Sequence, residues 1–326
     1  MITHRAPRPI PVKGHDDLFS CYHWHPEMAD NVILRMSKSS LLSDFGFCQQ
    51  QGFIKRIVGM KEPQNDNMLR GTNVHDSVEL FYDRVDPTYA ESLLFTKGDG
   101  KEQERVSQYF KGCFPKPPEI RSAQEAFYLD EDLHLDRWRQ VEVERFFGSD
   151  PENFLPTGNE LVVDHIMDIE VDGISQPVHF TGIIDRIFTN PDGSLHVHEL
   201  KTGLWKDTKY KYESMRKEMA FYVWMLRKMD GSTPVTHWGW DHTKGVKGTD
   251  TEDAEAFRHV EPVRVKEIGL MLADVQNLIR NYRRYKGDGD GSMFPLISAS
   301  MQSRLCDPWC ALKEFCPRYA DVLEDY

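Results

Sequence analysis

The chain has 326 residues, which corresponds to roughly two ordinary domains or one elaborated domain. Hydrophobic residues make up 40% and aromatic residues 11%, enough for a core, and this excludes wholesale disorder. The net charge is −12, from 40 Lys and Arg against 52 Asp and Glu, so a nucleic-acid partner would have to meet a local basic surface.

Two further properties concern the cellular location. No run approaches the ~18 consecutive apolar residues of a membrane span, and the first residues lack the apolar stretch of a secretory signal. Three of the six cysteines fall within the last 21 residues, which indicates metal chemistry in a reducing compartment rather than a disulfide scaffold. We therefore expect a cytoplasmic protein without membrane contact, or one in the host cytoplasm if the chain is viral.

The predicted elements begin with an irregular segment over residues 1–34. Ser37–Ser40 can cap an amphipathic helical stretch, and a second helix is predicted from about Gly71. Residues 86–155 are predicted to be mostly helical and are interpreted as an inserted lobe. The rest comprises three strands from about Glu160, a helix over roughly 206–229, a short strand near 235–240 and a helix over about 263–286. This order predicts an α/β or α+β core within one domain over residues 35–326.

A tight turn lies between two of the strand-like runs. Residues 190–193, Asn-Pro-Asp-Gly, have the preferences of a type I turn, and such a turn with a left-handed glycine closes a hairpin through a three-residue loop. The resulting register places Asp185 opposite Glu199, with Lys201 on the same side of its strand as Glu199. A two-residue loop would instead place the two carboxylates on opposite faces.

Two carboxylates directly opposite each other on neighbouring strands have Cβ atoms only about 5 Å apart and repel. A positive charge should therefore lie between them. Lys201 supplies part of it, and a hard divalent cation such as Mg²⁺ would supply the rest. The alternative interpretation is a solvated hairpin face that carries an ordinary Glu–Lys pair.

The two strings at 182–186, Gly-Ile-Ile-Asp-Arg, and 199–203, Glu-Leu-Lys-Thr-Gly, together resemble the core of the PD-(D/E)XK nucleases, specifically the RecB-like branch. The resemblance implies a restriction-endonuclease-like core, a central mixed sheet flanked by helices. It also implies metal-dependent hydrolysis of phosphodiester bonds, with Asp185, Glu199 and Lys201 as the catalytic set.

Further motifs of this family follow in order along the chain. His75, in a Gly-x-x-x-His string, looks like the metal-binding histidine of an early helix, although a lone helical histidine is more often an ordinary residue. Glu218 and Tyr222 resemble a Gln-x-x-x-Tyr motif, with Glu in place of the usual Gln, and would contact the strand at the rim of the site. Glu160 could correspond to an acidic residue on the first strand. The implied ligands of one or two Mg²⁺ or Mn²⁺ ions are the side chains of His75, Asp185 and Glu199 and the backbone carbonyl of Leu200.

The cysteines of the tail, residues 300–326, form a second motif. Cys306, Cys310 and Cys316 supply three of the four thiolates that an iron–sulfur cluster or a structural zinc ion needs. Cys48 lies in a stretch that resembles the entry helix of the AddB nuclease domain and the small CRISPR-associated RecB-like exonucleases, which join their termini through a 4Fe–4S cluster. The resemblance implies Cys48 as the fourth ligand. Three residues separate the first two tail cysteines where the family usually has two, so zinc is the alternative, and free thiols without metal are a third possibility.

A basic segment directly follows the hairpin. Its lysines and arginines are interleaved with aromatic residues, a pattern that suits a single-stranded backbone with stacked bases, although a solvated helix face is the ordinary alternative. The candidate substrate-binding residues are Glu218, Tyr222, Lys206, Lys209 and Tyr210. A second basic cluster at residues 280–286 is interpreted as a solvated helix face.

Together these features predict a Mg²⁺- or Mn²⁺-dependent deoxyribonuclease, an exonuclease that prefers single strands, in recombination, repair, phage replication or CRISPR-type processing. The expected partner is DNA, single-stranded or with a free end, with proteins of recombination, replication or CRISPR adaptation beside it. The alternative is a catalytically inactive nucleic-acid-binding protein with a structural iron–sulfur or zinc site.

Overall fold

The computed structural model of the chain describes residues 10–11, 22–23, 34–57, 66–95, 100–116, 125–149, 153–205, 208–229, 231, 233–246, 257–288, 294–307, 310, 312 and 316. The strands are β1 (Ile10–Pro11), β2 (Tyr22–His23), β3 (Leu34–Met36), β4 (Gly158–Val171), β5 (Ile174–Thr189), β6 (Leu195–Trp205), β7 (Val235–Val246) and β8 (Phe257–Pro262). The helices are α1 (Phe45–Phe47), α2 (Gln49–Gly52), α3 (Asp66–Arg84), α4 (Pro87–Ser92), α5 (Glu102–Cys113), α6 (Glu125–Gly148), α7 (Lys209–Met229) and α8 (Val265–Asp288). Shorter helical turns cover Ser39–Asp44, Phe53–Ile57, Ala299–Met301 and Gln302–Cys306.

The main sheet is mixed. Its strands follow the order β3-β5-β6-β7-β8, with β4 beside β5. The pairs β3–β5 and β6–β7 are parallel, whereas β5–β6 and β7–β8 are antiparallel. The predicted α/β class with a central mixed sheet is confirmed. Among the described helices, none is long and apolar enough to cross a membrane.

The chain divides into two compact units. The first comprises Met1–Pro63, Val163–Gly182 and Gly269–Tyr326, and the second comprises Gln64–Val162 and Ile183–Ile268. The predicted insertion at 86–155 lies in the second unit and contains α4, α5 and α6. Its interpretation as an insertion, like the domain boundaries, stays a prediction.

Aromatic packing and a serine cap organise the first unit. Phe53 lies edge-on to Tyr285 and stacks on Phe294, with ring centroids 5.1 Å apart in both pairs. Ser37 and Ser40 exchange hydrogen bonds, because each backbone N–H donates to the other residue's hydroxyl, at 2.7 and 3.1 Å. This reciprocal pattern satisfies two of the free N–H groups at the start of a helix, as the serine-led sequence predicts.

Helices cover both faces of the sheet in the second unit. Phe81 of α3 and Trp138 of α6 are fully buried, with ring centroids 5.1 Å apart, and Leu200 of β6 belongs to the same cluster. Because successive side chains of a strand point to opposite faces, the neighbours of Leu200 point away from this cluster. On that opposite side Lys201 meets Glu218 of α7. The sequence therefore builds a strand with an apolar side toward α3 and α6 and a charged side toward α7.

The predicted strands and long helices occur, with three differences. The three strands predicted from about Glu160 are confirmed as β4, β5 and β6, and α7 and α8 are the two predicted long helices. The helix predicted from about Gly71 begins earlier, at Asp66, and the short strand predicted near 235–240 extends to Val246. β8 was not predicted, because its Arg258 and Glu261 interrupt the apolar pattern of a strand.

Arg258 belongs to a buried ionic network in the second unit. Arg258 donates to both carboxylate oxygens of Asp241 at 2.7 Å and to Glu142 at 2.6 Å. His198 lies 2.9 Å from Asp241. Arg186 lies 3.6 Å from Asp241, and its guanidinium lies over the ring of Trp138. Both carboxylates are fully buried. Arg258 neutralises both of them and Arg145 pairs with Glu142 at 2.8 Å, so we expect this network to be sensitive to the loss of a charge.

Candidate active site

The loop at residues 190–193 closes the β5–β6 hairpin in the predicted way. Asn190 and Ser194 pair, since the Asn190 N–H donates to the Ser194 carbonyl at 2.8 Å. Gly193 has a φ of +79°, the left-handed conformation that the three-residue loop requires. Four residue pairs beyond the loop, from Thr189–Leu195 to Arg186–His198, follow the predicted register. Asp185 and Glu199 are the residues that follow this last pair on their two strands.

Asp185 is held against β6 by its side chain. Its Oδ2 accepts the Leu200 N–H at 2.6 Å, so a carboxylate bonds the backbone of the neighbouring strand just beyond the last paired residues. Leu200 is fixed in turn because its own side chain is buried in the apolar cluster. Asp185 is only 7% exposed and Glu199 only 2% exposed. The alternative of a solvated hairpin face is therefore wrong.

Three side chains with metal-binding atoms converge beside this strand end. His75 Nδ1 of α3 lies 3.5 Å from Asp185 Oδ2 and 3.9 Å from Glu160 Oε1. One donor atom from each of the three residues lies within 4.8 Å of the other two, and no other group of three or more His, Cys, Asp or Glu in the described part of the chain does so. Carboxylate oxygens with an imidazole nitrogen are a suitable donor set for Mg²⁺ or Mn²⁺. These residues thus fit the implied metal.

Glu160 reaches this cluster through an unusual backbone. Its φ is +47°, a left-handed conformation inside a β-strand that costs an L-residue roughly 1–2 kcal/mol. The preceding Asn159 donates from its side chain to the Glu79 carbonyl of α3 at 3.1 Å, which holds this part of β4 against the helix. The sequence offered only a weak correspondence for Glu160, since no local pattern signals a left-handed glutamate within a strand.

The cluster carries excess negative charge. Burial alone would lower the pKa of His75, but the pKa is raised because Asp185 and Glu160 stabilise the imidazolium. Glu199 contributes in the same direction. Burial and the nearby Glu160 also raise the pKa of Asp76, one residue along α3. A cation entering this space would relieve repulsion among several carboxylates.

Lys201 lies between two carboxylates on the α7 side of the strand. Its Nζ is 2.7 Å from Glu199 Oε1 and 2.8 Å from Glu218 Oε2. Glu199 is thus engaged by Lys201 and lies outside the 4.8 Å group, although it still influences His75. The pairing of Lys201 with Glu218 gives a role to the glutamate that stands where the family usually has glutamine.

Tyr222 corrects one expectation. It was expected at the rim of the site, but it is only 2% exposed. Burial raises its pKa well above the ordinary value, and the charges of Glu199 and Asp185 raise it further. Because residues four apart share a helix face, Tyr222 lies on the face of α7 that packs inward with Glu218, not at an open edge.

The first turn of α7 presents the remaining substrate-binding candidates. The Lys209 side chain is 88% exposed and Tyr210 is 79% exposed. Lys211 is close enough to Lys201 for the two charges to interact, and burial lowers its pKa. Lys206 lies outside the described residues. Lys209 lies 3.7 Å from Glu213, and the exposed pair lies where a ligand can reach it, whereas Lys211 is half-buried beside Lys201.

The four predicted cysteine ligands line one cavity in the first unit. Cys48, Cys306, Cys310 and Cys316 surround it together with apolar side chains such as Ile54. All four are free thiols. Among the described residues, these sulfurs form no group of three within 4.8 Å of one another. A cavity lined by four thiols suits either a tetrahedral zinc ion or an iron–sulfur cluster.

Comparisons with known proteins show the family of the chain. No curated protein was found to match the chain. A solved structure of a candidate exonuclease from Eubacterium rectale is 14% identical, with 81% of this chain and 84% of that chain covered and a TM-score of 0.39. The structure of SSO0001 is also 14% identical, with 74% and 96% covered and a TM-score of 0.31. The model of the PD-(D/E)XK nuclease superfamily matches residues 35–317, most of the chain. The chain therefore belongs to the PD-(D/E)XK nuclease superfamily.

Proposed function

We propose that this chain is a divalent-metal-dependent nuclease that hydrolyses phosphodiester bonds of DNA. The convergence of His75, Glu160 and Asp185 beside the Glu199–Lys201 pair carries this proposal. The superfamily supplies the reaction class, and the buried, negatively charged cluster supplies a reason for the metal.

The metal would be held by His75, Asp185, Glu199 and the Leu200 carbonyl, as the family resemblance implies. We add Glu160 to this set because its carboxylate lies within the same group of donor atoms. When bound, Mg²⁺ or Mn²⁺ supplies Lewis acidity toward a phosphate oxygen and lowers the pKa of water.

Lys201 contributes a compact positive charge to the scissile phosphate. Two carboxylates, Glu199 and Glu218, hold its ammonium group, which restricts the long side chain to one position. Preorganisation of this kind favours charge stabilisation in the transition state, because the group need not reorient during the reaction. Asp185, fixed by the Leu200 N–H, would be similarly preorganised.

The substrate we propose is single-stranded DNA with a free end. The chain would degrade it from that end, in the manner of a RecB-like exonuclease. Tyr210 offers an exposed ring for base stacking, and Lys209 offers an exposed charge for the backbone. Lys206 belongs to the same proposed surface from its sequence position. Recombination, repair, phage replication and CRISPR-type processing all provide such ends, and their proteins are the proposed partners.

We also propose that Cys48, Cys306, Cys310 and Cys316 bind a 4Fe–4S cluster. The shared cavity, lined by all four thiols, supports it. Zinc is the alternative, and the small free volume of the cavity, about 20 Å³, would suit a single ion. A thiolate-bound cluster also supports the proposed location in a reducing compartment such as the cytoplasm.

The nuclease proposal can be tested with end-labelled single-stranded DNA, duplex DNA and RNA of one sequence, in Mg²⁺, Mn²⁺ or EDTA. We expect the wild type to cleave single-stranded DNA only with metal. Lys201→Met and Asp185→Asn should each lower the rate at least about 100-fold, as loss of a preorganised charge does. Matched controls are Lys228→Met on α7 and Asp83→Asn on α3, two exposed residues that should leave the rate unchanged.

Equal rates in all variants would contradict the proposed site. Binding of DNA without cleavage by the wild type in any metal would instead support the inactive nucleic-acid-binding alternative. Analysis of iron, sulfide and zinc in protein purified without oxygen shows what the four cysteines bind. We expect four irons and four sulfides per chain. One zinc per chain, or no metal, would contradict the cluster.

A further inference from the structure

The cysteine cavity contains a polar group that the four ligands do not explain. Gln51 follows Cys48 by three residues and lines the same cavity. Its side-chain Oε1 is buried and accepts no hydrogen bond from the described residues. A buried carbonyl oxygen without a donor costs roughly 1–3 kcal/mol, so this amide should have another partner when the site is complete.

The chemistry of the cavity indicates which end of the amide faces it. The oxygen and nitrogen of a glutamine side chain are nearly isosteric, so half a turn exchanges them. Thiolates and inorganic sulfides accept hydrogen bonds and cannot donate them. In a cavity lined by Cys48 and three further cysteines, an N–H group of Gln51 would therefore find acceptors, whereas its carbonyl oxygen would not.

Apart from the cysteines and Gln51, Gln50 is the polar residue among the described lining, and it has a partner of its own. Lys55, which does not line the cavity, binds Asp44 at 3.3 Å. Most of the other lining is apolar, including Ile54 and Leu312. Few groups are thus placed to offset the negative charge of a thiolate-bound cluster, and Gln51 is the one whose buried oxygen lacks a partner among the described residues.

We propose that the Gln51 carboxamide donates an N–H···S hydrogen bond to the cluster or to one of its cysteine ligands. The inference rests on the proposed iron–sulfur cluster. Hydrogen bonds to the sulfurs stabilise the more negative, reduced state, so Gln51 acts as a positioning residue that raises the reduction potential.

The test compares the full chain, loaded with iron and sulfide without oxygen, in the wild type and three variants. Gln51→Met removes the N–H donors at similar volume, and Gln51→Glu replaces them with a negative charge. Gln49→Met is the matched control, because the Gln49 amide accepts a long hydrogen bond from Asn281, at 3.5 Å, and does not line the cavity. Iron and sulfide are counted first, and the potential is then measured by redox titration followed by electron paramagnetic resonance.

We expect equal cluster content in all four proteins and a more negative potential for both Gln51 variants. Gln51→Glu should shift further than Gln51→Met, and Gln49→Met should match the wild type. A wild-type potential in Gln51→Met and Gln51→Glu would overturn the inference and leave the cluster intact. A wild type without iron and sulfide would overturn the cluster itself. If Gln51→Met does not fold, Gln51→Leu decides the outcome, because the shift in Gln51→Glu also contains the effect of the added negative charge.

Discussion

Replacing Asp185 by asparagine should stabilise the metal-free protein while it abolishes cleavage. Asparagine keeps a side-chain oxygen that can accept the Leu200 N–H, so the anchoring hydrogen bond survives. The substitution removes one negative charge from a cluster whose members lie within 4.8 Å of one another. Residues that bind a cation are commonly arranged at the expense of the free protein's stability, and the sign of this effect distinguishes a metal ligand from a structural carboxylate.

The magnitude follows from the 4.8 Å within which the Asp185 and Glu160 oxygens lie of each other. Two unit charges at that upper limit of distance repel by about 3.5 kcal/mol at an effective dielectric constant of about 20. His75 offsets part of this repulsion when it is protonated, because it lies 3.5 Å from Asp185. At alkaline pH, where the imidazole is neutral, we expect Asp185→Asn to raise the free energy of unfolding by about 1–3 kcal/mol.

Urea unfolding in EDTA, followed by circular dichroism, measures this gain. Added Mg²⁺ should then stabilise the wild type by about 2.7 kcal/mol at a concentration 100 times its Kd, and should stabilise Asp185→Asn by no more than about 1.4 kcal/mol if that variant binds at least tenfold more weakly. The difference in free energy of unfolding between Asp185→Asn and the wild type should therefore shrink or change sign when Mg²⁺ is added. A variant that is less stable than the wild type in EDTA at alkaline pH would refute the reasoning, because Asp185 would then be a stabilising partner and not a repelled ligand.

Three further predictions concern the second unit. Arg258→Met should lower the free energy of unfolding by about 3–5 kcal/mol, because buried Asp241 loses both hydrogen bonds from the guanidinium, whereas Glu142 keeps its bonds from Arg145. Asp241→Asn in the same chain should restore part of the loss in urea titrations. Burial lowers the pKa of His198 to about 4. As the pH falls, the histidine of the unfolded chain is therefore protonated at a higher pH than that of the folded chain. About 3 kcal/mol of the free energy of unfolding that is present above pH 6.5 should be lost as the pH falls to 4. A His198→Gln protein should lack that part of the pH dependence. Gly193→Ala should lower the free energy of unfolding by about 1 kcal/mol, as measured by thermal unfolding. The cost comes from the φ of +79° alone, because an added Cβ would meet no atom within 4 Å.

The hairpin could be predicted from the sequence because its determinants are local. A turn of four residues fixed the pairing register, and the register fixed the positions of Asp185 and Glu199. Lys201 followed from strand alternation, and the helix that carries His75 followed from apolar periodicity. Each of these inferences needed only residues that are neighbours along one element.

The features that were missed depend on packing between elements. The left-handed backbone of Glu160 is determined by its surroundings and has no sequence signature. The ionic network of Arg258, Asp241 and Glu142 joins two strands and a helix, and each charge alone reads as a surface residue. Tyr222 was placed at the rim because the sequence does not tell which helix face packs inward when both faces carry aromatic residues.

The central claim is that this cluster binds a divalent cation, and a Mn²⁺ titration tests it most directly. The electron paramagnetic resonance signal of free Mn²⁺ gives the bound fraction for the wild type, Asp185→Asn and the control Asp83→Asn. We predict equal binding by the wild type and Asp83→Asn, and at least about tenfold weaker binding by Asp185→Asn. Binding of Mn²⁺ by Asp185→Asn with wild-type affinity would contradict the account.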